Sequence, residues 1–458
     1  MSTPSHAPEH LAGIRAHVGS QRERIFTDLS ELVAFNSVHD EPGLQEENAG
    51  AADWVHRALS DLGLNVERHE TVDGSTALIG RRAPAAGMPT VLLYSHYDVV
   101  PAGDPTAWTS PPFTLTERGG RWYGRGAADC KGNLVMHLAA LRAVEALGGT
   151  SVGLTVLVEG SEERGGEGLD ALLTDCPELF AADAILIADS GNAAVGRPTL
   201  TTLLRGGAQL SVTVDTLRAP VHSGLFGGAA PDAVAALMRA LDSLRDEHGR
   251  TVIDGVRGFA RWEGAPYATA DFRADAGVLD GVALMGTDDD APADFVWARP
   301  AVTVTGFTST PVAEAVNAVP ATASAQLNLR VPPGMDAADT AEKLAGHLRR
   351  HVPWGAHIDV EISDVNQPFS TGTSGPALSL LRDSLAAAYD TTEVATIGSG
   401  GSIPLTLALQ KAFPAAEIAL YGVEEPLSTI HSPDESVDPA EIRDIAVAEA
   451  LFLLGYGR

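Results

Sequence analysis

Short apolar runs bounded by turn residues recur through the first 200 positions of the chain. Val91-Leu92-Leu93-Tyr94, Val152 to Val158 and Ala184-Ile185-Leu186-Ile187 each read as a strand buried on both faces. Between these runs the spacing becomes helical, over residues 12–35, 50–63 and 133–147. The last of these places Leu134, Leu138, Leu141 and Val144 on one side. Strands that alternate with helices predict an α/β domain, a sheet covered by helices on both faces. The texture changes near residue 205. Leu210 to Val214 and Ala323 to Arg330 alternate like half-buried strands, Ile358 to Ile362 fits a further strand, and helices fit about 231–246 and 337–351. That stretch predicts a smaller α+β domain inserted into the larger one. Beyond about 370 the buried α/β texture returns, with helices at 375–389, 403–412 and 439–454 and a strand at 417–422. The expected boundaries are 1–205 and 369–458 for the two parts of the larger domain and 206–368 for the insert.

A chain of 458 residues exceeds what one core supports, which agrees with two domains. The net charge of −29 argues against nucleic acid as a partner, because that binding draws on basic side chains that neutralise phosphates. It argues equally against anionic membrane surfaces. No apolar stretch is long enough to span a bilayer, and the N-terminus lacks a basic start followed by an apolar run. The cysteines, Cys130 and Cys176, make no disulfide framework and fit a reducing compartment, so the expected location is the cytoplasm.

Chemistry enters at the ends of the apolar runs. His96 stands in Ser-His-Tyr-Asp, Glu163 in Glu-Gly-Ser-Glu-Glu, and Asp189 in Ile-Ala-Asp-Ser, each just past a strand. Asp129 lies in Gly-Arg-Gly-Ala-Ala-Asp-Cys-Lys-Gly and His431 in Ile-His-Ser-Pro-Asp-Glu. In α/β sheets ligands bind beyond the carboxyl ends of the strands, so these scattered positions are expected to share one site. They are too far apart for a zinc finger. Two imidazoles and three carboxylates suit two divalent cations, zinc before manganese or cobalt. Paired cations point to hydrolysis, because together they hold an attacking hydroxide and a carbonyl oxygen.

The combined motifs resemble the co-catalytic zinc peptidase family that includes carnosinases, bacterial dipeptidases, glutamate carboxypeptidase, aminoacylase, acetylornithine deacetylase and succinyl-diaminopimelate desuccinylase. The resemblance covers nearly the whole chain. It implies a catalytic α/β domain with a mixed sheet, and an inserted α+β domain that serves as lid and dimerisation surface, hence a homodimer. It implies that Asp129 bridges two cations, one also held by His96 and Asp189, the other by Glu163 and His431. Asp98 is then the carboxylate that hydrogen-bonds the ligand His96, and Glu162 the general base. The bond after the bridging Asp is often cis in this family; here it joins Asp129 to Cys130.

On the substrate side, His222 in Val-His-Ser-Gly resembles the family histidine that stabilises the oxyanion. Asn317 and Arg330 sit where the family contacts substrate, and Arg330 has the planar fork to clasp a carboxylate. Gly400, Gly401 and Ser402 lie in a small-residue loop before a helix, suited to an anionic group. Carnosinase-like members carry Arg-Glu where this chain has Gly398-Ser399, which implies altered specificity. The expected substrate is a dipeptide, a short peptide or an N-acyl amino acid. The alternatives are an N-acyl-amino-acid deacylase and, from another class, a non-catalytic metal-binding protein. The Glu162 base beside a full ligand set argues against the last of these.

Overall fold

In the computed structural model, which describes residues 7–401 and 403–457, the apolar runs form neighbouring strands of one sheet. Gly153–Glu159, Thr90–His96, Ala184–Ala188 and Glu417–Tyr421 lie side by side in that order, and each neighbouring pair is parallel. Val91, Leu92, Leu93 and Tyr94 are fully buried, as continuous apolar strands must be when helices cover both faces. Antiparallel strands Thr76–Arg82 and Asn65–Glu70 extend one side, and Thr199–Leu204 the other. The sheet is therefore mixed, with a parallel centre.

Two compact units emerge. The first comprises Met1–Thr202, Thr371–Ile397 and Pro404–Arg458; the second comprises Leu203–Ser370 and Gly398–Ile403. The core of the first unit is built around helix Lys131–Ala146, which is buried on almost every side and packs against Pro439–Gly455. His137 on the former hydrogen-bonds Glu449 on the latter at 2.6 Å, pairing the polar groups that this burial encloses. The expected helix over 12–35 is broken into Ala7–Ser20 and Arg22–Val33. The break falls at Gln21, directly after Gly19 and Ser20, weaker helix formers than the residues around them.

In the second unit four antiparallel strands run in the order Ala301–Thr308, Thr322–Val331, Gly206–Asp215 and His357–Asn366. Buried and less buried positions alternate along Thr322–Val331, and the buried set meets helices Ala233–Asp242 and Ala337–His351. Both helices start at an aspartate, Asp232 or Asp336, whose side chain accepts backbone N–H groups of the first turn. Among the described residues no helix is long and apolar enough to cross a membrane.

Candidate metal centre

The four parallel strands point their carboxyl ends the same way, and the residues that follow them gather at one place in the first unit. His96 ends its strand, Asp189 follows Ala184–Ala188, and Glu162 and Glu163 open a short 3-10 turn after Gly153–Glu159. Asp129 enters from the loop before helix Lys131–Ala146, and His431 from the loop after Pro426–Ser428. His96 Nε2 lies 3.2 Å from both Asp129 Oδ1 and Asp189 Oδ1. His431 Nε2 lies 3.0 Å from Asp129 Oδ2 and 3.2 Å from Glu163 Oε2. The two oxygens of Asp129 thus face two different imidazoles, each of which also faces a further carboxylate.

The loop that carries Asp129 is wrapped around a buried carboxylate. Glu435 Oε1 accepts the N–H groups of Ala128 and Asp129, both at 3.1 Å. Its Oε2 accepts that of Gly126 at 3.1 Å and pairs with Arg125 at 2.6 Å. Two motif glycines are steric requirements. A Cβ on Gly132 would stand 2.2 Å from Ala127 O, and Gly126 has φ +82° with Val99 Cγ1 2.8 Å from where a Cβ would be. Lys131 turns away from the site, and its buried ammonium donates to Leu32 O and Phe35 O at 2.9 and 2.8 Å. The Asp129–Cys130 bond is cis. The Cys130 thiol donates to Ala188 O at 3.0 Å, and burial pushes its pKa up, so it remains a buried thiol.

Asp98 is fully buried and does more than face histidine. Its Oδ1 lies 3.3 Å from His96 Nδ1 and accepts the Glu162 N–H at 3.1 Å, while its Oδ2 accepts the Glu163 N–H at 3.0 Å. One carboxylate therefore fixes both the first imidazole and the turn that presents the Glu pair. The Glu162 carboxylate stands 3.9 Å from His96 Nε2.

The electrostatics ask for positive charge. Burial, then the charge of Asp189, pushes the Glu162 carboxyl well above the usual range. Burial raises Glu163 as well. Hydrogen bonds to Asp129 and Glu163 lift His431 to about 10. Burial opposes charge on His96, yet Cys130, Asp129, Asp189 and Asp98 together raise it well above the ordinary value. Carboxylates pushed up beside imidazoles pulled up mark an excess of buried negative charge, which bound cations would offset. The donor atoms fit such ions. Those of His96, Asp129, Cys130 and Asp189 lie within 4.8 Å of one another, as do those of Asp129, Glu163 and His431. Glu163 Oε1 is buried with no hydrogen-bond partner among the described residues, an orphan that a cation would satisfy.

Sequence reasoning missed Glu424 and Glu435. Glu424 follows the fourth parallel strand, and burial, then Asp129 and Asp189, pushes it well up. Its signal was present, since Val-Glu-Glu-Pro after an apolar run mirrors Gly-Ser-Glu-Glu. The remaining candidates belong to the second unit. His222 is exposed, and its Nδ1 accepts the Gly224 N–H at 3.1 Å. Asn317 is on the neighbouring chain segment, its carbonyl accepting the Ser223 N–H at 2.9 Å. Arg330 Nε donates to Asn328 at 3.1 Å. Gly400 is half-buried and Gly401 exposed, whereas Ser402 lies outside the described residues.

A cluster of imidazoles and carboxylates around a shared aspartate, at the carboxyl edge of a parallel sheet, defines a metallohydrolase. The model of Peptidase family M20/M25/M40 matches residues 92–454, and the chain belongs to that family. It is 58% identical over 438 residues to the cysteinylglycine-S-conjugate dipeptidase of Corynebacterium striatum, across 95% of this chain and 96% of the relative. It is 26% identical over 447 residues to the Cys-Gly metallodipeptidase DUG1 of Saccharomyces cerevisiae, across 90% and 91% of the two chains. The solved structure of human carnosine dipeptidase 1 shares the fold, with a TM-score of 0.79, 21% identity and 99% of each chain covered. The chain is a dipeptidase-like hydrolase of this family.

Proposed function

We propose that this chain is a two-cation dipeptidase that hydrolyses dipeptides with a free carboxylate, cysteinylglycine and its S-conjugates first among them. The observation that carries the reading is the division of Asp129, whose two oxygens face His96 and His431 separately. The 58% identity to a cysteinylglycine-S-conjugate dipeptidase supports the substrate class. His96, Asp129 and Asp189 would hold one cation, and Asp129, Glu163 and His431 the other. Nitrogen and carboxylate donors suit zinc, and also manganese or cobalt. Cations bound there supply Lewis acidity toward a water and the scissile carbonyl.

Glu162 takes the proton of the attacking water and returns it to the departing amine. Asp98 keeps the Glu162–Glu163 turn and the His96 ring in place. His222 donates to the developing oxyanion. Asn317, Arg330 and the loop of Gly400, Gly401 and Ser402 contact the substrate. The second unit acts as a lid and as the surface of a homodimer, and closure excludes water from the reaction. Cysteine usage supports a cytoplasmic setting.

The test is Glu162→Gln assayed on Cys-Gly, its S-conjugates and N-acyl amino acids. The expected result is unchanged metal content with turnover reduced roughly 10²–10⁴-fold. Turnover at the parent rate would remove Glu162 from its role, and cleavage of N-acyl amino acids alone would replace the dipeptidase reading with a deacylase.

A further inference from the structure

Away from the candidate metal centre, the second unit gathers another set of nitrogen and carboxylate donors. His347 and His351 stand four residues apart at the end of helix Ala337–His351, a spacing that sets both rings on one face. The rings stack, with centroids 4.1 Å apart. Asp254 meets both of them. Its Oδ1 lies 3.3 Å from His347 Nδ1, and its Oδ2 lies 3.2 Å from His351 Nε2. The donor atoms of the three residues all lie within 4.8 Å of one another. Atoms that share a tetrahedral zinc, each about 2.0–2.2 Å from it, stand about 3.3 Å apart, so both contacts already have the spacing of a coordination shell.

Hydrogen bonding fixes the state of the inner ring. Ser243 has a single hydroxyl hydrogen, which it donates to Ala240 O at 2.7 Å. His347 Nε2, 3.0 Å from that hydroxyl, must therefore carry the ring hydrogen and donate it. Nδ1 is then bare, and it accepts the Asp254 N–H at 3.1 Å. Burial, then the charge of His351, holds the His347 pKa below its ordinary value, in agreement with a neutral ring. Bare Nδ1 has no hydrogen to offer Asp254 Oδ1, so two lone pairs face each other across 3.3 Å. A neutral imidazole oriented by a hydrogen bond on its far nitrogen is the form in which histidine binds a metal.

The cation that answers Asp254 at this point is Arg350, whose Nε donates to Oδ2 at 2.9 Å. Its side chain is 57% exposed and can swing into solvent. His351, also exposed at the helix end, can turn its edge out of the stack. His347 is 1% exposed, and Ile253, beside Asp254, lies in the core of this unit. The set thus has a fixed inner wall and movable outer ligands.

We propose that His347, His351 and Asp254 form a further site for a divalent cation of the zinc class, which enters from solvent and takes the place of the Arg350 guanidinium. Two imidazoles and a carboxylate, completed by water, suit zinc. The ion fastens the last turn of the helix to the segment that follows Ile253 and so stabilises the second unit.

The experiment titrates full-length protein with zinc by calorimetry and counts bound zinc by mass spectrometry. It compares the parent with His351→Asn, Asp254→Asn and Arg350→Gln, each with its metal centre already loaded. The parent is expected to take up a further zinc and to melt at a higher temperature with it bound. His351→Asn and Asp254→Asn should lose that zinc and the thermal shift while Cys-Gly turnover stays at the parent rate. Arg350→Gln should bind it roughly 2–5-fold more tightly, because a half-exposed ion pair no longer competes. No further zinc in the parent, its retention in both His351→Asn and Asp254→Asn, or unchanged affinity in Arg350→Gln would overturn the proposal. If Asp254→Asn does not fold, His351→Asn carries that arm. The zinc is read as a difference between parent and variants, so the result is independent of how many ions the first unit holds.

Discussion

Replacing Asp98 tests whether one carboxylate organises the metal centre. Its two oxygens accept the N–H groups of Glu162 and Glu163 at 3.1 and 3.0 Å, and one of them faces His96 Nδ1 at 3.3 Å; the Asp98 and His96 side chains are both fully buried. A hydrogen bond to a charged group contributes about 1.5–3 kcal/mol. Asp98→Asn keeps one acceptor and turns an NH₂ toward the other N–H, so one bond is lost and a donor meets a donor. The Glu pair and the His96 ring then lose their common anchor. Changes of this kind reduce metal affinity by roughly 10–100-fold, which corresponds to about 1.4–2.7 kcal/mol. Asp98→Ala removes both acceptors and should cost about 3–6 kcal/mol, enough to appear as lost thermal stability. The assay is calorimetric titration of metal-stripped protein with zinc, alongside kcat on Cys-Gly at saturating zinc. Asp98→Asn protein that binds zinc and turns over within about twofold of the parent would refute the reasoning.

Other expectations follow from the same contacts. Glu435→Gln leaves the Arg125 charge buried without its counter-ion, at 1% exposure, and should cost roughly 3–5 kcal/mol in denaturant unfolding. It should also loosen the loop bearing Asp129, read as weaker zinc binding. Burial opposes ionisation of Asp73, yet bonds from Thr71, Ser75 and Ser161 hold its pKa well below the usual range. Its folded value lies below its unfolded value of about 4, so its contribution is complete above about pH 5 and is lost as pH falls. The melting temperature of Asp73→Asn should therefore fall less steeply than that of the parent between about pH 5 and 3; parallel slopes would contradict this. Because Asp73 also accepts the Ser161 hydroxyl and the Gly168 N–H, the variant should be less stable than the parent near pH 7, as measured by denaturant unfolding.

The centre of the first unit was legible because strands buried on both faces are written as unbroken apolar runs, and the residues after them become visible by position alone. Thr90–His96 and Ala184–Ala188 are of this kind. Strand Asn65–Glu70 was not legible, since it lies at the sheet edge and exposes most of its polar side chains. The carboxylates that organise the site were harder to read than the ligands. Glu435 holds the backbone N–H groups of Ala128 and Asp129, and Asp98, expected only as the partner of His96, also holds those of Glu162 and Glu163; any sequence supplies such groups, so nothing in it marks this part of their work.

Anomalous diffraction at the zinc edge, on crystals of the metal-loaded protein, tests the central assignment most directly. Two peaks are expected, one contacted by His96 and Asp189, the other by Glu163 and His431, with Asp129 touching both. A single peak, or two peaks that do not share Asp129, would contradict it.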